Sequence, residues 1–172
     1  MTSPTSTDTS TAHVHDASVA LQASTPAGDM CALTFDPLDV PAIALSVRRP
    51  TCGATALFIG TTRDSFQGKR VRELRYQSYS TLALKALVRT VSEVREAAEE
   101  ELHCAVQHRL GVVPVSEPSI VIAVSAPHRR AAFEACEEIL ERVKSNCPIW
   151  KQEVYAEGDM EAEWKANGLP QR

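Results

Sequence analysis

The chain has 172 residues, 44% of them hydrophobic and 23% charged, with a net charge of −4. That length supports one ordinary domain, in which a folded part of roughly 140 residues buries about two-thirds of its unfolded surface. The acidic balance excludes the basic footprint expected of a nucleic-acid binder, and no apolar run approaches the roughly 18 residues of a membrane span, so a soluble cytosolic protein is expected.

Residues 1 to 30 contain eleven Ser or Thr and no Lys or Arg. Such a composition offsets little of the entropy of ordering and predicts a disordered tail, unlike a secretory signal or a transit peptide. His13 and His15 form an isolated H-x-H, a weak metal motif on a segment with nothing to orient its ligands. A single domain is expected over 31–157, followed by a polar tail over 158–172. Leu33-Thr34-Phe35 reads as a short strand, and Val40 to Leu45 as a small helix. Ala54 to Ile59 is an apolar run of strand length, and Val71 to Tyr79 alternates as a second strand. The polar stretch between them, Gly60 to Gly68, carries Arg63, and glycines at both ends allow close backbone approach to a ligand.

Leu84, Leu87, Val88, Val91, Val94, Ala98 and Leu102 recur at helical spacing and predict a long amphipathic helix. Cys104 to Val115, interrupted by Gly111 and Pro114, and Ile120 to Val124 read as two strands, the second fully buried. His108-Arg-Leu-Gly-Val-Val-Pro-Val-Ser-Glu117 is thus a strand ending in a turn. Phe133, Cys136, Leu140, Val143 and Cys147 then mark the packed face of a second long helix. Ser125 is the expected N-cap, Pro127 falls in the first turn, and Pro148 ends the helix. Trp150 to Tyr155 alternates as a last strand. The order strand-strand-helix-strand-strand-helix-strand is α+β.

Cys31, Cys52, Cys104, Cys136 and Cys147 are odd in number and include no Cys-x-x-Cys pair, which fits free thiols in a reducing compartment. Cys147 is set apart by Lys144 and Lys151, cations expected to lower its pKa. With no Cys/His cluster, no metal or cofactor is expected on this chain.

His128, Arg129 and Arg130 fall where the second long helix begins. A helix N-terminus is already positive, so bases there oppose stability and make sense if an anion is received. Lys144 and Lys151 stand on either side of the break at Pro148. A chain reversal there would bring both amines, with Arg129, to one pocket, the setting in which lysine acts as nucleophile or acid-base. No P-loop or G-x-G-x-x-G is present to bind a nucleotide.

Phe58-Ile-Gly-Thr-Thr-Arg-Asp64, His108 to Glu117, Val124-Ser-Ala-Pro-His-Arg129 and Lys144-x5-Trp150-Lys-Gln-Glu153, in this order and spacing, resemble the catalytic large subunit of molybdopterin synthase, in its eukaryotic form. The resemblance covers roughly residues 33 to 156. It implies an α/β-hammerhead fold and a homodimeric core within a heterotetramer. A ubiquitin-like small subunit, the sulfur carrier, would insert its C-terminal Gly-Gly thiocarboxylate and deliver sulfur twice to cyclic pyranopterin monophosphate, forming the dithiolene of molybdopterin. The resemblance places substrate binding at Arg63, His128, Arg129, Lys144, Lys151, Gln152 and Glu153, with Lys144 and Lys151 catalytic. Pro127 and Thr61-Thr62 depart from the family pattern without removing any of these cations. Other readings are a ferredoxin-like regulatory module that binds a phosphorylated metabolite, or a scaffold that only docks the carrier.

Overall fold

The computed structural model describes residues 20–156 and 164–166. His13, His15 and most of the predicted tails lie outside the described residues. The chain forms β1 (Leu21–Ser24), β2 (Met30–Thr34), α1 (Val40–Ser46), β3 (Ala54–Thr61), β4 (Ser65–Phe66), β5 (Lys69–Ser78), α2 (Ser80–Ala97), β6 (His103–Arg109), β7 (Gly111–Pro114), β8 (Pro118–Ala126), α3 (Arg129–Asn146), β9 (Ile149–Tyr155) and β10 (Lys165–Ala166). A five-stranded sheet has the order β1-β2-β6-β8-β3, and a second sheet has the order β10-β9-β5-β4 with β7 also paired to β5. In the first sheet β2 and β6 run parallel and the other neighbours antiparallel. The α+β class expected from the element order is the one observed.

Strand β8 shows why the first sheet has two covered faces. Its apolar run does not alternate with polar residues, and nearly all of it is buried. Ile122 and Val124 point to the side where α2 contributes Leu87, Val91 and Val94 and α3 contributes Ala132, Ile139 and Val143. Val121 and Ala123 point the other way, under Ile43 and Val47 from α1 and its end. Period-two side-chain geometry turns a continuous apolar strand into two half-cores, and each large apolar side chain so buried contributes about 1.5 to 3 kcal/mol.

Four local expectations are corrected. Strand β1 falls inside the stretch that composition predicts to be disordered, because it pairs with β2 from Leu21↔Leu33 to Ser24↔Met30. Ser125 is no helix cap: it is buried within β8, its hydroxyl donates to the Val47 carbonyl, and the N-cap is His128 in an extended conformation. Ser125 is drawn into the strand because β8 continues to Ala126 opposite Ala54 of β3. Phe133, expected on the packed face of α3, is 65% exposed.

The Gly60 to Gly68 stretch, expected as a loop, contains a hairpin. Strand β4 pairs with β5 across Gln67 and Gly68, both at positive φ (49° and 77°), the two-residue geometry that matches strand twist. Gly60 serves packing, since a Cβ there would lie 2.7 Å from Ile120 Cγ2.

Candidate functional site

Helix α3 separates the predicted cations into two groups. At its C-terminal end, Lys144 occupies the last turn and is exposed. The Cys147 N–H donates to the Val143 carbonyl at 3.0 Å and closes the helix. Strand β9 begins at Ile149, so Lys144 and Lys151 flank one tight turn. On β9, Lys151 and Glu153 share a face, and Lys151 Nζ lies 3.4 Å from Glu153 Oε1. Glu153 is 2% exposed. Gln152 points to the other face, opposite Arg75 of β5.

Arg63 reaches the same end from β3. Thr62 is buried and tied three ways: its N–H donates to the Glu117 carbonyl at 3.2 Å, its hydroxyl donates to the Val113 carbonyl at 3.3 Å, and its carbonyl accepts from the Ser116 N–H at 2.8 Å. Arg63 is thereby presented to solvent from a fixed backbone. Three residues on, the Phe66 ring lies 6.0 Å from Lys151 Nζ. One end of the molecule thus gathers the Arg63 loop, Lys144, Lys151 and Glu153.

His128 and Arg129 are at the opposite end of α3. The His128 side chain is 79% exposed; its backbone N–H and its Nδ1–H both donate to Glu100 Oε2, at 3.2 and 3.1 Å. Arg130 is paired with Glu134 at 2.7 Å. Arg129 and Lys144 are separated by fifteen helical residues, about 22 Å at 1.5 Å per residue. The expected convergence of Arg129 with both lysines therefore does not occur within one chain. Arg63, Arg129 and Lys144 make no side-chain hydrogen bond or ion pair among the described residues. A groove of about 640 Å³ between α2 and α3, edged by Glu100, Arg130, Glu134 and Arg142, takes in none of Arg63, Lys144, Lys151 or Glu153.

The expected reactive thiol is reversed. Cys147 is buried, and burial pushes its pKa up to about 12 against a smaller opposing pull from Arg89. The cation beside it in space is Arg89 of α2, while Lys144 points to solvent. All five cysteines are free. His108 is a buried core histidine: burial lowers its pKa to about 4, and its Nδ1–H donates to the Arg109 carbonyl at 2.8 Å. Its ring meets Tyr76 edge-on with centroids 4.9 Å apart. Tyr76 stands opposite Lys151 on β5 and donates to the Ser119 hydroxyl at 3.3 Å, which in turn donates to the Gly60 carbonyl at 3.1 Å. That chain ties the floor under Lys151 to the first sheet.

Sequence reasoning missed Phe66 and Glu100 as neighbours of these residues, and it gave Lys165 only a doubtful part in capping the pocket. Lys165 Nζ lies 3.8 Å from Glu153 Oε2 and 5.0 Å from the Phe66 ring. A two-residue strand in a polar segment carries no periodic signal, so pairing alone reveals it.

The MoaE protein family matches residues 33–146. A molybdopterin synthase catalytic subunit from Culex quinquefasciatus is 49% identical over 135 residues, covering 78% of this chain and 86% of that one. Among solved structures, molybdopterin synthase from Staphylococcus aureus has a TM-score of 0.72 at 29% identity, covering 77% of this chain and 94% of that chain. A complex of subunits 1 and 2 of molybdopterin-converting factor from Helicobacter pylori shares the fold at 20% identity and a TM-score of 0.58, covering 75% of this chain and 91% of that chain. The fixed Arg63 loop and the lysine-flanked turn lie on a fold and sequence of one kind, and the chain belongs to the MoaE family, that of the molybdopterin synthase catalytic subunits.

Proposed function

We propose that the chain is the sulfur-transferring subunit of molybdopterin synthase, acting in molybdenum cofactor biosynthesis. It takes sulfur from the thiocarboxylated C-terminus of a ubiquitin-like small subunit and delivers it to cyclic pyranopterin monophosphate to form the dithiolene. The observation that carries this reading is the placement of Lys144 and Lys151 on either side of one turn, with Lys151 beside Phe66 of the Arg63 segment and paired with the buried Glu153. A phosphate and a thiocarboxylate each bring negative charge, and a cationic, partly buried site stabilises both and the oxyanion that forms when the carrier's carbonyl reacts. Lys144, exposed and unpaired among the described residues, is the amine positioned to attack or to move a proton. Lys151, Arg63 and Gln152 bind and orient the substrates around it, and the buried Glu153 acts through Lys151, which it holds in place.

His128 and Arg129 join the site from a second copy. The separation of about 22 Å along α3 keeps them from Lys144 within one chain, whereas a two-fold dimer can set the start of one α3 near the end of the other. A small subunit at each such site completes a heterotetramer, in keeping with the two-subunit Helicobacter pylori complex. Among the described residues no helix is long and apolar enough to cross a membrane, and five free thiols suit the cytosol. The test is transfer of labelled sulfur from a thiocarboxylated carrier to the pterin: transfer by the wild-type chain supports the reading, and carrier binding without transfer would leave a scaffold.

A further inference from the structure

Strand β10 lies antiparallel to β9 with Lys165 directly opposite Lys151. Two ammonium groups are thereby set side by side on one face, a pairing that by itself opposes sheet formation. Glu153, two residues beyond Lys151 on the same face, offsets the repulsion. Its Oε1 lies 3.4 Å from Lys151 Nζ and its Oε2 lies 3.8 Å from Lys165 Nζ. The Phe66 ring sits near both amines, 6.0 Å from Lys151 Nζ and 5.0 Å from Lys165 Nζ, with its negative face and its bulk against water.

A carboxylate this deeply buried requires a cation. Lys151 alone would supply it, but the pair would then be neutral and would leave no positive charge for a ligand. With Lys165 present the three-residue cluster carries one positive charge in excess. Both amines remain reachable, with side chains 29% exposed at Lys151 and 38% at Lys165.

We propose that Lys165 is a positioning residue of this site: it neutralises Glu153 so that Lys151 is released to hold the anionic group of a substrate, a phosphate or a carboxylate. The inference rests on the sulfur-transfer reading for the identity of the ligands. Calorimetric titration of the full chain with cyclic pyranopterin monophosphate, and separately with the thiocarboxylated carrier, tests it and tells the two anions apart. Lys165→Ala is expected to weaken binding of one of them about tenfold, and Lys165→Arg to stay within about twofold of wild type. The decisive variant is Lys165→Ala combined with Glu153→Gln, in which no buried charge needs a partner. It is expected to recover most of the affinity lost in Lys165→Ala, an effect that loss of strand pairing alone would not produce. Lys165→Ala binding both ligands like wild type would overturn the proposal and leave the sulfur-transfer reading intact, and so would a double variant no better than Lys165→Ala. A folded wild type that binds neither ligand would overturn both.

Discussion

At the scale of single residues, burial decides what each titratable group does. His108 has its pKa lowered from 6.5 to about 4 because the charged imidazolium would lose its solvent. Between those values the unfolded chain takes up a proton that the folded chain refuses, so stability is full above pH 6.5 and declines as pH falls towards 4. This one group removes about 3 kcal/mol over that interval. Urea denaturation at pH 7 and pH 4.5 should show a decline that is smaller by about 2 kcal/mol in His108→Gln. Equal declines in the two proteins would contradict a neutral, buried His108. The same physics governs Cys147. Helical spacing with Cys136, Leu140 and Val143 already placed it on the packed face, and that pattern outweighs the two lysines near it in sequence. Phe133 shows the limit of spacing: it belongs to the same series yet lies beyond the edge of the surface that the sheet covers.

At the scale of elements, long helices and buried strands were legible because their periodicity repeats over many residues. Helix α2, helix α3 and strands β3, β5, β8 and β9 all appear where patterning predicts them, with ends shifted by a few residues. Strands held by distant polar contacts were not legible. The turn joining β1 to β2 is fixed by Asp29, which is buried and accepts from the Thr25 hydroxyl at 2.7 Å, the Cys104 N–H at 2.8 Å and Arg95 Nη1 at 3.0 Å. Arg95 also donates to the Leu102 carbonyl, joining the end of α2 to the start of β6. None of these partners is marked by composition, so a Ser/Thr-rich segment that looks unable to order gains an anchor from 75 residues away. Asp29→Ala strands a buried N–H and an arginine, and is expected to cost about 3 to 5 kcal/mol in urea denaturation. A loss below about 1 kcal/mol would show that the hairpin is held by its ladder alone.

At the scale of the whole molecule, the sequence offers a set of candidate cations without their arrangement. Arg63, Lys144, Lys151 and Glu153 do gather at one end, because β3, α3 and β9 all terminate or turn there. His128 and Arg129 do not join them, since α3 is an 18-residue rod between the two groups. A linear sequence shows that residues flank a helix; it does not show whether a second copy brings the ends of two such helices together, as proposed above. Mixing Arg129→Ala chains with Lys144→Ala chains tests that assembly. Each is expected to be nearly inactive alone, and random re-pairing should restore about a quarter of wild-type turnover, because a hybrid dimer holds one undamaged site. No recovery in verified hybrids would place all the catalytic cations on one chain.

The central claim is that the turn between α3 and β9 is where sulfur is transferred, with Lys144 as its reacting amine. It is tested most directly by single-turnover transfer of labelled sulfur from thiocarboxylated carrier to cyclic pyranopterin monophosphate by wild type and Lys144→Ala. Lys144→Ala should fold, bind the carrier like wild type and transfer sulfur at least about a hundredfold more slowly, the scale expected when a positioned acid-base or nucleophile is removed. Transfer by Lys144→Ala within a few-fold of wild type would contradict the account.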